Sequence, residues 1–153
     1  MASKKSQFKY MISIYTDGAC SGNPGIGGWG AVIINGDQEP FYLSGGEQNT
    51  TNNRMELMAA INAIIYFQDK QNLEIFTDSK YLKDGIESWI NKWKINGWKT
   101  STKKPVKNQD LWLKLDSEIK HHNIKWNWVK GHANNKYNEK ADLLARKYIE
   151  ENI

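Results

Sequence analysis

The sequence predicts an α/β domain built on a mixed β-sheet covered by helices. Three strand-like segments with short connections occupy residues 10–46, and beyond them strand-like and helix-like periods alternate to the end of the chain. Strands joined by short links pair antiparallel, whereas a strand–helix–strand alternation needs parallel crossovers, so one sheet must hold both kinds of pairing. The length, 153 residues, suits one well-filled core and is too short for two ordinary domains.

Residues 1–9 read as a short polar tail, leaving 10–153 as the domain. MISIYTD alternates as a strand does and ends on Asp17; GWGAVII and PFYLSGG are the next two strands, separated by the turn-forming NGD at 35–37. In NNRMELMAAINAIIYFQ the period changes. Leu57, Ala60, Ile61, Ile64 and Ile65 fall at i, i+3, i+4, i+7 and i+8, which marks an amphipathic helix. LEIFT, at 73–77, reads as a buried strand, and DSKYLKDGIESWINKWK as one or two short helices with a break at Gly85. A helix over about 109–120, the strand IKWNWV and a last helix carrying Ala141, Leu144, Ala145, Tyr148 and Ile149 complete the pattern.

Six glycines crowd residues 18–30, and Gly25, Gly27 and Gly30 satisfy the spacing G-x-G-x-x-G. A dinucleotide site is excluded by context, since that fingerprint must open a helix and these glycines lead into the β-branched run AVIIN. The single cysteine, Cys20, allows no intrachain disulfide and suggests neither a thiolate metal cage nor an oxidising compartment, so a cytoplasmic location is expected. No segment approaches a membrane span in length and apolarity. The formal charge of +4 favours polyanionic partners.

Four carboxylates stand at element boundaries or within helices: Asp17, Glu56, Asp78 and Asp142. Each has a plain structural explanation. Glu56 lies three residues after Asn53, the capping-box spacing; Asp78 can cap the helix that follows it; Asp142 can be an exposed helical acid and Asp17 a turn residue.

Five strings, TDGACSGNPGIGGWG, TTNNRMELMAA, TDSKYL, WKTSTKKPVKNQDLW and WVKGHANNKYNEKADLLAR, closely resemble the type 1 ribonucleases H in order and spacing, from about Tyr10 to Ile149. The resemblance implies a ribonuclease H-like fold, a five-stranded mixed sheet flanked by helices. The activity it implies is endonucleolytic hydrolysis of the RNA strand of RNA/DNA hybrids, leaving 5′-phosphate and 3′-hydroxyl ends. It assigns the metal-site carboxylates to Asp17, Glu56, Asp78 and Asp142, and the catalytic histidine to His132. Clustered carboxylates beside a phosphodiester are unfavourable unless cations neutralise them, and hard divalent ions suit oxygen ligands: Mg²⁺, with Mn²⁺ as a substitute. Two such ions clamp an in-line displacement. A histidine titrating near neutrality in the Gly-flanked loop GHANN suits proton transfer.

The same resemblance places Gly18, Cys20 (through its backbone), Asn23, Asn52 and Asn53 in the minor groove of the hybrid, where backbone and amide groups meet 2′-hydroxyls. Thr51, Arg54 and Asn108 are assigned to a DNA-strand phosphate. Between Glu87 and Asp110 there are six lysines and no acid, interleaved with Trp89, Trp93 and Trp98. Trp89 and Trp93 share a helix face at i, i+4 and suit sugar or base contacts, while Lys99, Lys103, Lys104 and Lys107 suit phosphates. Trp112, Trp126 and Trp128 read as core or strand residues. A monomer acting on an RNA/DNA hybrid away from membranes is the expectation. Lys80, where the resemblance leads one to expect glutamine, is a departure from the pattern.

Overall fold

The computed structural model describes residues 11–130 and 135–153. One five-stranded sheet runs in the order β3-β2-β1-β4-β5. Its strands are β1 (Ile12–Cys20), β2 (Gly25–Ile34), β3 (Phe41–Thr50), β4 (Asn72–Thr77) and β5 (Asn123–Trp128). The first three form the expected antiparallel meander, and β4 and β5 add in parallel beside β1. The glycine-rich stretch is therefore mostly strand. Asp17 lies within β1 rather than at its end, and the two strands are joined only by 21–24.

Helix α1 (Asn52–Ile65) crosses one face of the sheet. Of its predicted stripe, Leu57, Ala60, Ile61 and Ile64 are buried and Ile65 is half-buried; Met55, Ala59 and Ala63 are buried as well, with helix α4 (Gln109–Ile119) packed against α1. Beneath α1 lie Ile12, Ile14, Leu73 and Ile75, and fully buried Trp112 and Leu115 close the core from α4. On the other face, α5 (Lys136–Asn152) lies across β2, β1 and β3 and buries Ala141, Ala145 and Ile149. With helices on both sides, β2 is buried from Gly27 to Ile33 without alternation.

Two glycines of β2 set the distance between α5 and the sheet. A Cβ on Gly28 would overlap the carbonyl oxygen of Ala145, and one on Gly30 would overlap that of Ala141. Gly18 plays the same part toward α1, where a Cβ would stand 2.5 Å from the backbone nitrogen of Glu56.

The segment after β4 consists of α2 (Lys80–Asp84), a π-helical turn over Gly85–Trp89, and α3 (Ile90–Ile95). The break expected at Gly85 does not occur. Gly85 keeps right-handed helical geometry (φ −64°) and is buried against the indole of Trp112, where a Cβ would overlap the ring. Its small size serves packing rather than helix termination.

Candidate active site

The second half of β1, the first turns of α1 and the end of β4 meet at one side of the sheet. They bring one carboxylate oxygen each from Asp17, Glu56 and Asp78 within 4.8 Å of one another. Asp17 and Glu56 are buried, with Asp78 the more accessible of the three. The structure removes two of the plain explanations. Helix α1 is capped by Thr51, whose Oγ1 accepts from the Arg54 N–H at 3.3 Å, so Glu56 stands outside the capping box that its spacing from Asn53 suggests. Helix α2 is capped by Ser79, whose Oγ accepts from the Leu82 N–H at 3.1 Å, so Asp78 is not the cap.

The backbone N–H of Gly18 donates to Asp17 Oδ1 at 2.9 Å and fixes that carboxylate, whereas buried Glu56 Oε1 has no hydrogen-bond partner among the described residues. A buried acceptor without a donor costs free energy, and an oxygen-preferring cation would satisfy it. Burial first, then the charge of Asp78, pushes Asp17 up to about 7. Burial and Asp17 likewise raise Glu56 well above the usual carboxylate range.

The sign of the resulting linkage follows directly. A carboxyl raised on folding stabilises the fold while protonated, and that contribution is lost as pH rises from the unfolded value toward the folded one. For Asp17 the window runs from 3.8 to about 7. In the metal-free protein, Asp17→Asn is therefore expected to gain melting temperature relative to the wild type as pH rises through this window. Parallel melts at pH 4.5 and 7.5 in EDTA test it; a difference that stays constant or shrinks would refute the repulsive cluster.

Asp142 lines the same open cleft, about 520 Å³ in volume, from α5, but its Oδ2 is held by Arg146 Nε at 2.8 Å. Gly18, Asn52 and Asn53 also line this cleft. A second cleft adjoins it through Asn52 and Asn53 and adds Cys20, Asn23, Thr51 and Lys107. The Cys20 thiol points to the backbone carbonyls of Gly25 and Thr50. A third, mostly apolar shelf is formed by Tyr81, Trp89, Trp93, Val106 and Lys107. Lys99, Lys103 and Lys104 are exposed on the loop beyond it, where Lys99 bridges to Pro105. His132 lies outside the described residues.

Arg54 is engaged inside the protein. Its Nε donates to Glu47 Oε1 at 3.1 Å, and its two terminal nitrogens each donate to an Asp110 oxygen at 3.0 Å. One of those nitrogens also reaches Asn108 Oδ1 at 3.4 Å. The Arg54 hydrogen bond holds Asp110 below the usual carboxylate range; at Glu47 burial acts upward, but hydrogen bonds from Arg54 and Thr50 outweigh it. A phosphate would reach this guanidinium only in competition with two carboxylates. Asn108 is left-handed (φ 58°), and its amide donates to the Tyr81 hydroxyl at 3.1 Å, which also accepts from Trp112 Nε1 at 3.0 Å. Sequence reading missed Glu47, Tyr81 and Asp110 as parts of this wall. Tyr81 stands inside TDSKYL, but partners 27 and 31 residues away leave no local trace.

The RNase H family model matches residues 9–150. The chain is 59% identical over 136 residues to the ribonuclease H of Bradyrhizobium sp. strain ORS 278, covering 89% of this chain and 88% of that protein. To the ribonuclease H of Rhodopseudomonas palustris strain TIE-1 it is 58% identical over 141 residues, covering 92% and 90%. Among solved structures it is similar to LC9-RNase H1, described as a type 1 RNase H with the type 2 active-site motif. The TM-score is 0.82 at 29% identity, covering 95% of this chain and 74% of the other.

Proposed function

Because the chain belongs to the ribonuclease H family, we propose that it is a divalent-metal-dependent endonuclease that hydrolyses the RNA strand of RNA/DNA hybrids, leaving 5′-phosphate and 3′-hydroxyl ends. The observation that carries this reading is the convergence of three carboxylate oxygens within 4.8 Å, beside a cleft lined by Asn23, Asn52 and Asn53. Residues 10–153 act as one catalytic domain in a monomer, and the single cysteine fits a reducing cytoplasm.

Asp17, Glu56 and Asp78 would hold the metal, with Asp142 joining from α5 by exchanging its Arg146 contact. Bound there, two Mg²⁺ ions, or Mn²⁺ in their place, would supply charge neutralisation, activation of a water and stabilisation of the leaving 3′ oxygen. The protein's own part is to hold its ligands still: the Gly18 N–H orients Asp17, and burial immobilises Glu56. Amides of Asn23, Asn52 and Asn53 both donate and accept, which matches 2′-hydroxyls that do the same. The Thr51 oxygen is occupied by the helix cap but its proton remains to be given to a phosphate oxygen, beside Asn108. Arg54 contributes by fixing Asn108. Trp89 and Trp93 receive the DNA strand, Lys99, Lys103, Lys104 and Lys107 its phosphates, and His132 moves protons.

One gel assay tests the reading. Labelled RNA/DNA, RNA/RNA and DNA/DNA duplexes are incubated with Mg²⁺, with Mn²⁺ and with EDTA. Cleavage is expected only in the RNA strand of the hybrid and only with metal. Equal cutting of the DNA duplex would make the protein a DNA nuclease of related fold, and full activity in EDTA would end the metal mechanism.

A further inference from the structure

Three half-buried aromatic side chains lie behind the carboxylates and outside the main core. Tyr15 and Phe76 are partners in the last register pair of the parallel β1–β4 ladder, and their rings stack with centroids 4.5 Å apart and planes within 9°. Tyr137, in the first turn of α5, rests on the Tyr15 ring at 5.2 Å. The core fills the opposite face of the sheet, beneath α1, and β1 turns Ile12 and Ile14 toward it. Alternation then puts Tyr15 and Asp17 together on the α5 face, opposite Val32 and Gly30 of β2.

The position of the stack along the strands gives it a task. Asp17 stands two residues beyond Tyr15 and Asp78 two beyond Phe76, so both acids follow directly from the stacked pair. Past that pair β1 and β4 have no further register partners, and the like charges of the two carboxylates push the strand ends apart. An offset ring stack favours one separation and one orientation of its partners, which an aliphatic contact does not. Tyr137 brings in the third element. Helix α5 packs mainly on β2, β1 and β3, so among the described rings its link to β4 runs through Tyr15. Asn135 fixes where Tyr137 stands, because its Oδ1 accepts from the N–H groups of Tyr137 at 2.8 Å and Asn138 at 3.2 Å. Asp142 follows less than two turns later on the same helix.

We infer that Tyr15, Phe76 and Tyr137 are positioning residues whose packed rings set the spacing of Asp17 and Asp78 and seat α5, with Asp142, beside them. The inference rests on metal binding by these acids, and adds what holds the ligands at binding distance before a metal arrives. Affinity for metal, rather than affinity for the hybrid, then depends on the rings.

The test titrates the full chain with Mn²⁺ in the absence of nucleic acid, following the electron paramagnetic resonance signal of the free ion. Tyr15→Leu and Phe76→Leu keep apolar bulk without a plane, and each should weaken Mn²⁺ binding several-fold; Tyr15→Phe keeps the ring and should retain wild-type affinity. Because the stack acts as one unit, Tyr15→Leu/Phe76→Leu should weaken binding no more than the worse single variant. Hybrid affinity in EDTA should stay at the wild-type value. Turnover lost at limiting Mn²⁺ should return at saturating Mn²⁺, with KM for the hybrid unchanged. Melting curves establish that each variant is folded, and where a strand variant is not, Tyr137→Leu on α5 carries the same expectation. Folded leucine variants with wild-type Mn²⁺ affinity would overturn the inference, as would additive losses in the double variant or an equal loss of hybrid affinity in EDTA. A wild type that binds no Mn²⁺ would end the metal reading itself and this inference with it, so the wild-type titration tells the two failures apart.

Discussion

Asp17→Asn is expected to abolish turnover while leaving the metal-free protein at least as stable as the wild type. The substitution keeps the shape of the side chain and removes one charge from a cluster in which Asp17, Glu56 and Asp78 approach within 4.8 Å. Losing a metal ligand forfeits several kcal/mol of transition-state stabilisation, so kcat should fall by about a thousandfold or more. Without metal the sign reverses. Desolvation and Asp78 already disfavour the ionised carboxyl, so an amide relieves repulsion, and hybrid binding in EDTA should hold or tighten because less negative charge faces the phosphodiester. A structural Asp17 predicts a lowered melting temperature with activity kept in the folded fraction. Melting, metal-free binding and turnover measured on one preparation separate the two, and a destabilised but active variant would overturn the assignment.

A large effect on stability is expected at Gly28. In Gly28→Ala the new methyl meets the backbone carbonyl of Ala145 and, at 3.1 Å, Cβ of Tyr148. A backbone oxygen cannot rotate away as a side chain can, so α5 must lift from the sheet. Overpacking of this kind costs about 3 kcal/mol. For a domain of this size that corresponds to a melting temperature lower by about 6–12 °C. Activity should fall as well, since Asp142 rides on the displaced helix. A melting temperature within a degree of wild type would show that α5 shifts freely and that the glycine is dispensable.

These glycines also mark the limit of what the sequence disclosed. The antiparallel meander, the mixed sheet and the α1 stripe were legible because alternation and helical period are local properties of the chain. The crowding at residues 18–30 was equally visible in the sequence, but its packing purpose was not. In the structure Gly18 and Gly27 abut α1 or its neighbours, Gly28 and Gly30 abut α5, and only Gly22 and Gly25 border the turn between strands. The partners on these other elements lie from 23 residues (Gly27 to Thr50) to 120 residues (Gly28 to Tyr148) away, beyond any window of pattern reading. Glu56 shows the converse: its capping-box spacing was a true local signal, yet Thr51 holds the cap and Glu56 is turned inward. Among the described site residues, Asp17, Glu56 and Asp78 converge, and Asn23, Asn52 and Asn53 line the second cleft beside them. For Arg54 the sequence did not disclose the carboxylates of Glu47 and Asp110 that engage it.

The acids come from elements far apart in the chain: β1, α1, the end of β4 and finally α5, the last described element to be synthesised. Each local piece can form early, but the cluster is assembled by parallel pairing of β1 with β4 and by docking of α5 over Gly28 and Gly30, contacts that close long loops and form late. A polypeptide still emerging from the ribosome would thus hold its carboxylates apart. Hydrolytic competence would then arrive with completion of the domain rather than before it.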